Sequence, residues 1–222
     1  MTKPEVRQRI EQVGIVPVVR AATPQQAILA AEAVASGGIP IVEITMTVPG
    51  AIEVIAQLVR SMGRQVLIGA GTVLEADTAA RCLDAGAEFL VGPGFDPDTV
   101  QLARRRDKLV MAGGLTPNEV IAAWRAGSDF VKIFPCGAVG GPAYIKSLKA
   151  ALPQIPMVPT GGVNLNTAAD FLRAGASALG IGGELVSRPE LEAGNSAAIA
   201  AAARRYAAIV HEVREGGKVH VA

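Results

Sequence analysis

Residues 130–135 have the sequence FVKIFP, in which β-branched and aromatic residues are followed by a proline. This composition predicts a short β-strand that ends before Pro135. Side chains of a strand alternate between its two faces, so Phe130, Lys132 and Phe134 share one face. Lys132 is therefore a lone charged side chain within an apolar strand.

Lys132 is the residue of this strand that suggests chemistry. An ammonium group loses its hydration when it is buried, which favours the neutral amine. A neutral amine is a nucleophile that forms a Schiff base with a ketone. The alternative interpretation is that only the aliphatic stem is buried and the amine reaches water. The other lysines lie in terminal segments, a loop, or a helix with polar positions.

Short apolar runs of this kind alternate with longer amphipathic runs along the chain. The predicted strands are residues 15–20, 39–45, 66–69, 88–91, 109–112, 130–134, 157–159 and 178–181. The predicted helices are residues 24–36, 49–62, 75–85, 97–106, 117–126, 142–152, 166–174 and roughly 190–213. Residues 1–13 predict an extra N-terminal helix, and residues 214–222 predict a frayed tail. Several helices end at a glycine just before a strand, which is typical of a left-handed cap.

The repeated strand–helix unit predicts an α/β fold. Eight such units, with no linker and no change of composition, favour a single domain over residues 1–222 that forms a (β/α)₈ TIM barrel. The alternative is an open, doubly wound sheet. The first strand is not followed by the Gly-x-Gly-x-x-Gly pattern of a dinucleotide-binding fold, which argues against that alternative.

Composition limits the partners. The chain of 222 residues has a formal net charge of +1 and 4 % aromatic residues. Its largest basic cluster is residues 104–106, so we expect no nucleic-acid partner. Half of the residues are hydrophobic, but no apolar run is long enough for a bilayer. The charged N-terminus does not resemble a secretory signal, so we expect a cytoplasmic protein without a membrane partner.

Few residues are available for a metal centre with soft ligands. Cys82 and Cys136 lie far apart, and His211 and His220 both fall near the C-terminus. We therefore expect no disulfide framework and no zinc-type site, whereas a magnesium site with oxygen ligands stays open.

In a barrel of this kind, residues at the carboxyl ends of all strands share one rim. The predicted rim contains Arg20, Glu43, Thr45, Thr47, Gly71, Thr72, Pro93, Gly94, Gly113, Gly114, Lys132, Phe134, Thr160, Gly161, Gly162, Gly182 and Gly183.

Glu43 is a carboxylate inside an apolar strand. It is either an ion-paired structural residue or a proton shuttle beside Lys132. Arg20 either holds a substrate carboxylate or binds a carbonyl or a partner subunit.

Glycine-rich loops follow the last two predicted strands. They contain Gly161-Gly162 and Gly182-Gly183. In a TIM barrel this is the recurring position for phosphate, which backbone N–H groups bind. Glycine is also common in ordinary turns, so the two loops together carry more weight than either alone.

Four segments together resemble one family of enzymes, the aldolases for 2-keto-3-deoxy-6-phosphogluconate (KDPG) and 4-hydroxy-2-oxoglutarate (KHG). The segments are VEIT at 42–45, IGAGTV at 68–73, VKIFP at 131–135 and VPTGGV at 158–163. Their order and spacing are specific, and the resemblance extends from Gly14 to about Arg188.

The resemblance implies a class I carbon–carbon lyase that forms a Schiff base and is independent of metal and cofactor. It implies a homotrimer that cleaves KDPG to pyruvate and glyceraldehyde 3-phosphate, and KHG to pyruvate and glyoxylate. Lys132 would form the Schiff base, and Glu43 would be the general acid/base. The predicted substrate-binding residues are Arg20, Thr47, Thr72, Pro93, Phe134, Thr160, Gly161, Gly162, Gly182 and Gly183.

Two positions depart from the pattern of that family. Thr47 stands where some members carry an arginine for the pyruvate carboxylate, and Arg20 is the proposed replacement. Gly183 stands where a serine often binds phosphate, and Glu184 follows it. These departures leave room for an unphosphorylated substrate. An aldolase for the galactonate epimer, a phosphosugar isomerase or synthase, and a non-catalytic barrel also stay open.

Overall fold

The computed structural model describes residues 1–216. Its strands are β1 Ile15–Val19, β2 Ile41–Thr45, β3 Leu67–Gly71, β4 Phe89–Val91, β5 Leu109–Gly113, β6 Phe130–Ile133, β7 Met157–Pro159 and β8 Leu179–Ile181. All are parallel and pair in the order β7-β6-β5-β4-β3-β2-β1-β8. A bridge between Thr160 and Gly180 brings β7 and β8 together. The predicted (β/α)₈ barrel is therefore confirmed.

Helices alternate with these strands on the outside. They are α1 Lys3–Val13, α2 Pro24–Ser36, α3 Ala51–Met62, α4 Ala76–Asp84, α5 Pro97–Arg105, α6 Pro117–Ala126, α7 Pro142–Ala151, α8 Ala168–Arg173, α9 Arg188–Glu192 and α10 Ser196–Gly216. Polar side chains cap the N-termini of several helices. Before α2, the Thr23 hydroxyl accepts a hydrogen bond from the Gln26 N–H. Gly127 ends α6 with a φ of 101°, the left-handed conformation that glycine adopts most readily.

The barrel interior is closed by α1 at the end where the strands begin. Val6 and Ile10 of α1 belong to one buried apolar cluster with Ile41 of β2 and Phe130 of β6. A second, larger cluster fills the space between the strands and the outer helices. Because side chains alternate along a strand, residues two positions after Ile41 and Phe130 also face the interior. Those residues are Glu43 and Lys132.

The last helix is tied to the first. The guanidinium group of Arg214 on α10 donates hydrogen bonds to the carbonyl groups of Glu11 and Gln12 at the end of α1. Carbonyl groups at a helix C-terminus lack partners within the helix, so Arg214 satisfies two of them. Gly14 leaves space for this contact, since a Cβ there would lie 2.6 Å from Arg214 Nη2.

The chain differs from the predicted elements in its last part. The sequence predicted one helix from about residue 190 to residue 213, but the structure has α9 and α10. The break contains Gly194, with a φ of 66°, and Asn195, whose Oδ1 accepts from the Ala198 N–H. These two residues end one helix and cap the next.

Smaller differences occur elsewhere. A 3₁₀ turn at Cys136–Val139 follows β6, and β1 ends at Val19, one residue before Arg20. Residues 214–216 continue α10, although the sequence assigned them to the tail, and residues 217–222 lie outside the described part. Among residues 1–216, no helix combines the length and the apolar character that crossing a membrane requires.

Candidate active site

Lys132 and Glu43 lie side by side within the barrel, towards the end where the strands finish. Each is the third residue of its strand, β6 and β2. Lys132 Nζ lies 3.9 Å from Glu43 Oε1. Lys132 is 3 % exposed and Glu43 1 % exposed. The amine and the carboxyl group are thus within reach of proton transfer, directly after a small movement or through one water molecule.

The carboxyl group of Glu43 is in an apolar setting. Burial raises the pKa of Glu43 above its ordinary value, and the positive charges of Lys132 and Arg20 offset part of this rise. Among residues 1–216, Oε1 of Glu43 accepts no hydrogen bond. A carboxyl group with a raised pKa and a free oxygen atom is suited to holding and releasing a proton during a reaction.

Phe134 stands beside the amine. The centroid of its ring lies 5.5 Å from Lys132 Nζ, within the range of a cation–π contact. The same ring lines a cavity of about 150 Å³, which we call the distal cavity. Phe134 is therefore near the amine and also borders this cavity.

The distal cavity is bordered by the loops after β7 and β8. Five of the predicted substrate-binding residues from those loops line it: Thr160, Gly161, Gly162, Gly182 and Gly183. Gly161 and Gly162 have φ values of 83° and 80°, which residues with a side chain rarely adopt. Gly180 allows β8 to approach β7, since a Cβ there would lie 2.1 Å from Thr160 Oγ1.

Arg20 lies where two cavities meet. It lines the distal cavity and also a cavity of about 360 Å³, which we call the outer cavity. Gly183 borders both cavities, and Thr47 lines the outer one. The Thr47 hydroxyl lies 2.6 Å from the hydroxyl of Thr45, which donates to the Val19 carbonyl. Arg20 and Thr47 thus line the same outer cavity, and Arg20 also borders the distal cavity with the glycine loops.

Two predicted substrate-binding residues lie away from these cavities. Thr72 follows β3 and has a φ of 56°, which is uncommon for a residue with a side chain. Pro93 follows β4, and its carbonyl oxygen lies 2.2 Å from the position that a Cβ on Gly113 would take. Both residues lie at the carboxyl ends of their strands, but neither borders the distal or the outer cavity.

Sequence reasoning missed several residues around the outer cavity. Gln26 of α2 and the ion pair between Arg188 and Glu192 of α9 line it. These residues follow β1 and β8, which are neighbouring strands in the barrel. The predicted strand order was therefore the one signal in the sequence that could have placed them at a common cavity. Within residues 1–216, no group of three or more His, Cys, Asp or Glu side chains is arranged to hold a metal ion.

The chain is similar to known aldolases in sequence and in fold. A 2-dehydro-3-deoxy-phosphogluconate aldolase of Treponema pallidum is 33 % identical over 202 residues, which cover 90 % of this chain and 95 % of that protein. A 2-dehydro-3-deoxy-6-phosphogalactonate aldolase of Escherichia coli is 34 % identical over 77 % of this chain and 83 % of its own length. The KDPG aldolase of Legionella pneumophila, solved with pyruvate as a covalent carbinolamine, superposes with a TM-score of 0.83. It is 26 % identical, over 89 % of this chain and 96 % of that chain.

A parallel eight-stranded barrel with a lysine and a glutamate buried together near its mouth defines a Schiff-base aldolase, a carbon–carbon lyase. The model of the family described as "KDPG and KHG aldolase" matches residues 6–202. The chain belongs to the KDPG and KHG aldolase family.

Proposed function

We propose that this aldolase cleaves KDPG to pyruvate and glyceraldehyde 3-phosphate, and cleaves KHG to pyruvate and glyoxylate as a second reaction. The observation that carries the proposal is the buried contact between Lys132 Nζ and Glu43 Oε1. The substrates are taken from the names of the family and of the relative from Treponema pallidum.

In the proposed mechanism, Lys132 is the nucleophile. Its neutral amine attacks the ketone at carbon 2, and loss of water from the carbinolamine gives a protonated imine. Glu43 protonates the leaving hydroxyl group and later accepts the proton back. Support for this division of roles comes from the 3.9 Å separation and the raised pKa of Glu43.

The imine then makes carbon–carbon cleavage possible. A base removes the proton of the 4-hydroxyl group, the bond between carbons 3 and 4 breaks, and its electron pair moves into the imine to form an enamine. The aldehyde leaves. Protonation of the enamine and hydrolysis of the imine release pyruvate and restore Lys132. We assign the base to Glu43, acting directly or through one water molecule, because it is the carboxyl group beside the amine.

The two ends of the substrate are assigned to different groups. We propose that Arg20, Thr47 and Thr72 bind the carboxylate, since a guanidinium group pairs with a carboxylate through two parallel hydrogen bonds. Phe134 and Pro93 are proposed to form apolar contacts with the substrate beside the carbons that react. The tail of the substrate is assigned to the distal cavity, where Thr160, Gly161, Gly162, Gly182 and Gly183 lie.

The galactonate epimer is a second candidate substrate. The relative named for 6-phosphogalactonate is as similar to this chain as the relatives named for phosphogluconate. The two substrates differ in the configuration at carbon 4, where Glu43 is proposed to act. Turnover of the two epimers, compared at equal enzyme concentration, decides between them.

The proposal includes a homotrimer and a cytoplasmic enzyme that needs no metal or cofactor. Cys82 and Cys136 are buried free thiols, which is consistent with a reducing compartment. Sedimentation equilibrium tests the trimer, and turnover after exhaustive dialysis against a chelator tests the independence from metal.

Trapping with borohydride tests the central assignment. Reduction in the presence of pyruvate should add one reduced pyruvyl group irreversibly, and peptide mass analysis should locate it on Lys132. Lys132→Ala should abolish the adduct, whereas Lys146→Ala, which removes an amine from α7, should keep it. An adduct on another lysine, or none on the wild type, would contradict the mechanism. Detection of released pyruvate from KDPG then establishes the reaction itself.

A further inference from the structure

The distal cavity carries charges of both signs. Arg20 and Glu184 are the two charged side chains that line it. The cavity is about 150 Å³ in volume, so a group bound within it lies close to both of them. A phosphate dianion gains attraction from Arg20 but meets repulsion from Glu184.

Gly183 adds no side-chain donor to this cavity. Of the atoms in residues 1–216, none lies within 4 Å of the position that a Cβ on Gly183 would take. The site therefore has room for a side chain there but supplies only backbone. The phosphate-binding capacity of the β8 loop is thus limited to its N–H groups, while the adjacent residue is a carboxylate.

The charge of Glu184 acts on a buried hydroxyl group, that of Tyr206. Tyr206 of α10 is 1 % exposed, and within the described residues its hydroxyl has no hydrogen-bond partner. Burial, and next the charge of Glu184, raises the pKa of Tyr206 to about 12. Glu184 is exposed and makes no hydrogen bond to this hydroxyl group, so its carboxylate is free to face a ligand in the cavity.

We infer that Glu184 determines how strongly the distal cavity distinguishes a phosphorylated substrate tail from an unphosphorylated one. The carboxylate repels a phosphate dianion, whereas it accepts a hydrogen bond from the terminal hydroxyl group of an unphosphorylated 2-keto-3-deoxy sugar acid. Arg20 and the glycine loops favour the binding of a phosphorylated tail. Glu184 thus reduces the difference in affinity between a phosphorylated and an unphosphorylated tail. The class of substrate in this inference comes from the proposed function. The preference between the two tails comes from the residues that line the distal cavity.

The first test measures binding and does not depend on catalysis. Glycerol 3-phosphate is titrated into wild type, Glu184→Gln and Glu184→Lys, with chemical shifts of backbone amides as the readout. The dissociation constant should fall about tenfold in Glu184→Gln and further in Glu184→Lys, because repulsion is first removed and then replaced by attraction. The matched control is Glu212→Gln, which makes the same change of net charge on the exposed surface of α10 and should bind like wild type.

Three results would overturn the inference. They are equal affinity of wild type and Glu184→Gln within twofold, an equal gain in Glu212→Gln, and no detectable binding by any variant. Circular dichroism and thermal melting of each variant verify that the fold is retained.

The second test uses catalysis. The ratio of kcat/KM for KDPG to kcat/KM for its unphosphorylated form should rise about tenfold in Glu184→Gln. An unchanged ratio in an active aldolase would contradict the role of Glu184 and leave the proposed function standing. Absence of a pyruvate adduct on Lys132 would contradict the proposed function, while the titration with glycerol 3-phosphate would still decide the role of Glu184.

Discussion

Gly71 of β3 leaves the space that the carboxyl group of Glu43 occupies on the neighbouring strand β2. A Cβ on Gly71 would lie 1.8 Å from Glu43 Oε1. The atom that would have to move is the end of a flexible side chain and not backbone. The position of the carboxyl group beside Lys132 therefore depends on the absence of a side chain at residue 71.

Gly71→Ala should lower activity while it keeps the fold. The added methyl group displaces the carboxyl group of Glu43, and a misplacement of about 1 Å costs on the order of 10²-fold in rate. Steady-state kinetics with KDPG measures the loss, and thermal melting verifies the fold. Gly94→Ala is the matched control, because its Cβ has open space among the described residues at the same rim. Equal kcat in both variants would show that the position of Glu43 is not critical.

Glu43→Gln should lower kcat by about 10²–10⁴-fold, which is the usual contribution of a general acid/base. The amide keeps the shape of the side chain but does not exchange protons. Stopped assays of pyruvate release measure the effect. A kcat within threefold of wild type would assign the proton transfers to another group.

The ionisation of Glu43 should make stability depend on pH. Its pKa in the folded state is raised above the ordinary value of 4.5, so the folded protein holds this proton to a higher pH than the unfolded chain does. This contribution to stability is complete below the unfolded pKa and is lost as pH rises through the folded pKa. Urea unfolding at pH 5 and pH 8 should show that wild type loses stability relative to Glu43→Gln at the higher pH. The opposite sign would mean that the charged form is the one the fold stabilises.

Arg20→Ala should weaken the binding of pyruvate by about tenfold or more, as expected for the loss of a hydrogen bond to a charged group. Pyruvate carries a carboxylate but no distal tail, so it isolates the carboxylate end of the site. The rate of borohydride trapping as a function of pyruvate concentration gives the affinity. Arg188→Ala removes another guanidinium group that lines the outer cavity and is paired with Glu192, and it is the control. If Arg20→Ala leaves pyruvate affinity unchanged, Arg20 serves the distal cavity alone.

Arg214→Ala should destabilise the protein without changing its kinetics. The guanidinium group satisfies two carbonyl groups at the end of α1, and its loss should cost about 1–3 kcal/mol of unfolding free energy. Chemical denaturation followed by circular dichroism measures the loss. Arg204→Ala, an exposed position of the same helix, controls for the change of charge and helix propensity. Identical denaturation midpoints for the two variants would contradict a structural role for Arg214.

The sequence was sufficient for the barrel because its local signals agree with each other. Each strand is a short apolar run, and glycines such as Gly127 and Gly175 end helices in the left-handed conformation. Lys132 and Glu43 were found because charged residues inside apolar strands are exceptional. The rule that strand ends share one rim then predicted that the two lie together, and their separation of 3.9 Å in the structure agrees with it.

Other features required three-dimensional contacts. The break between α9 and α10 lies in a helical pattern rich in alanine, where Gly194 and Asn195 gave only a weak local signal. Arg20 lines two cavities because β1 pairs with β8, and these two strands are distant in the chain. The charge of Glu184 acts on the hydroxyl of Tyr206 although the two residues lie in different elements of the chain. The pattern of apolar and polar residues along the sequence does not indicate such contacts between distant elements.

The pairing of the strands is uneven around the barrel. β2 and β3 share five registered residue pairs, whereas Thr160 and Gly180 provide the bridge between β7 and β8. This weakest joint lies directly beneath the two glycine loops that border the distal cavity. A ligand tail bound by both loops would connect β7 and β8 and would therefore stabilise the barrel where it has the fewest registered pairs.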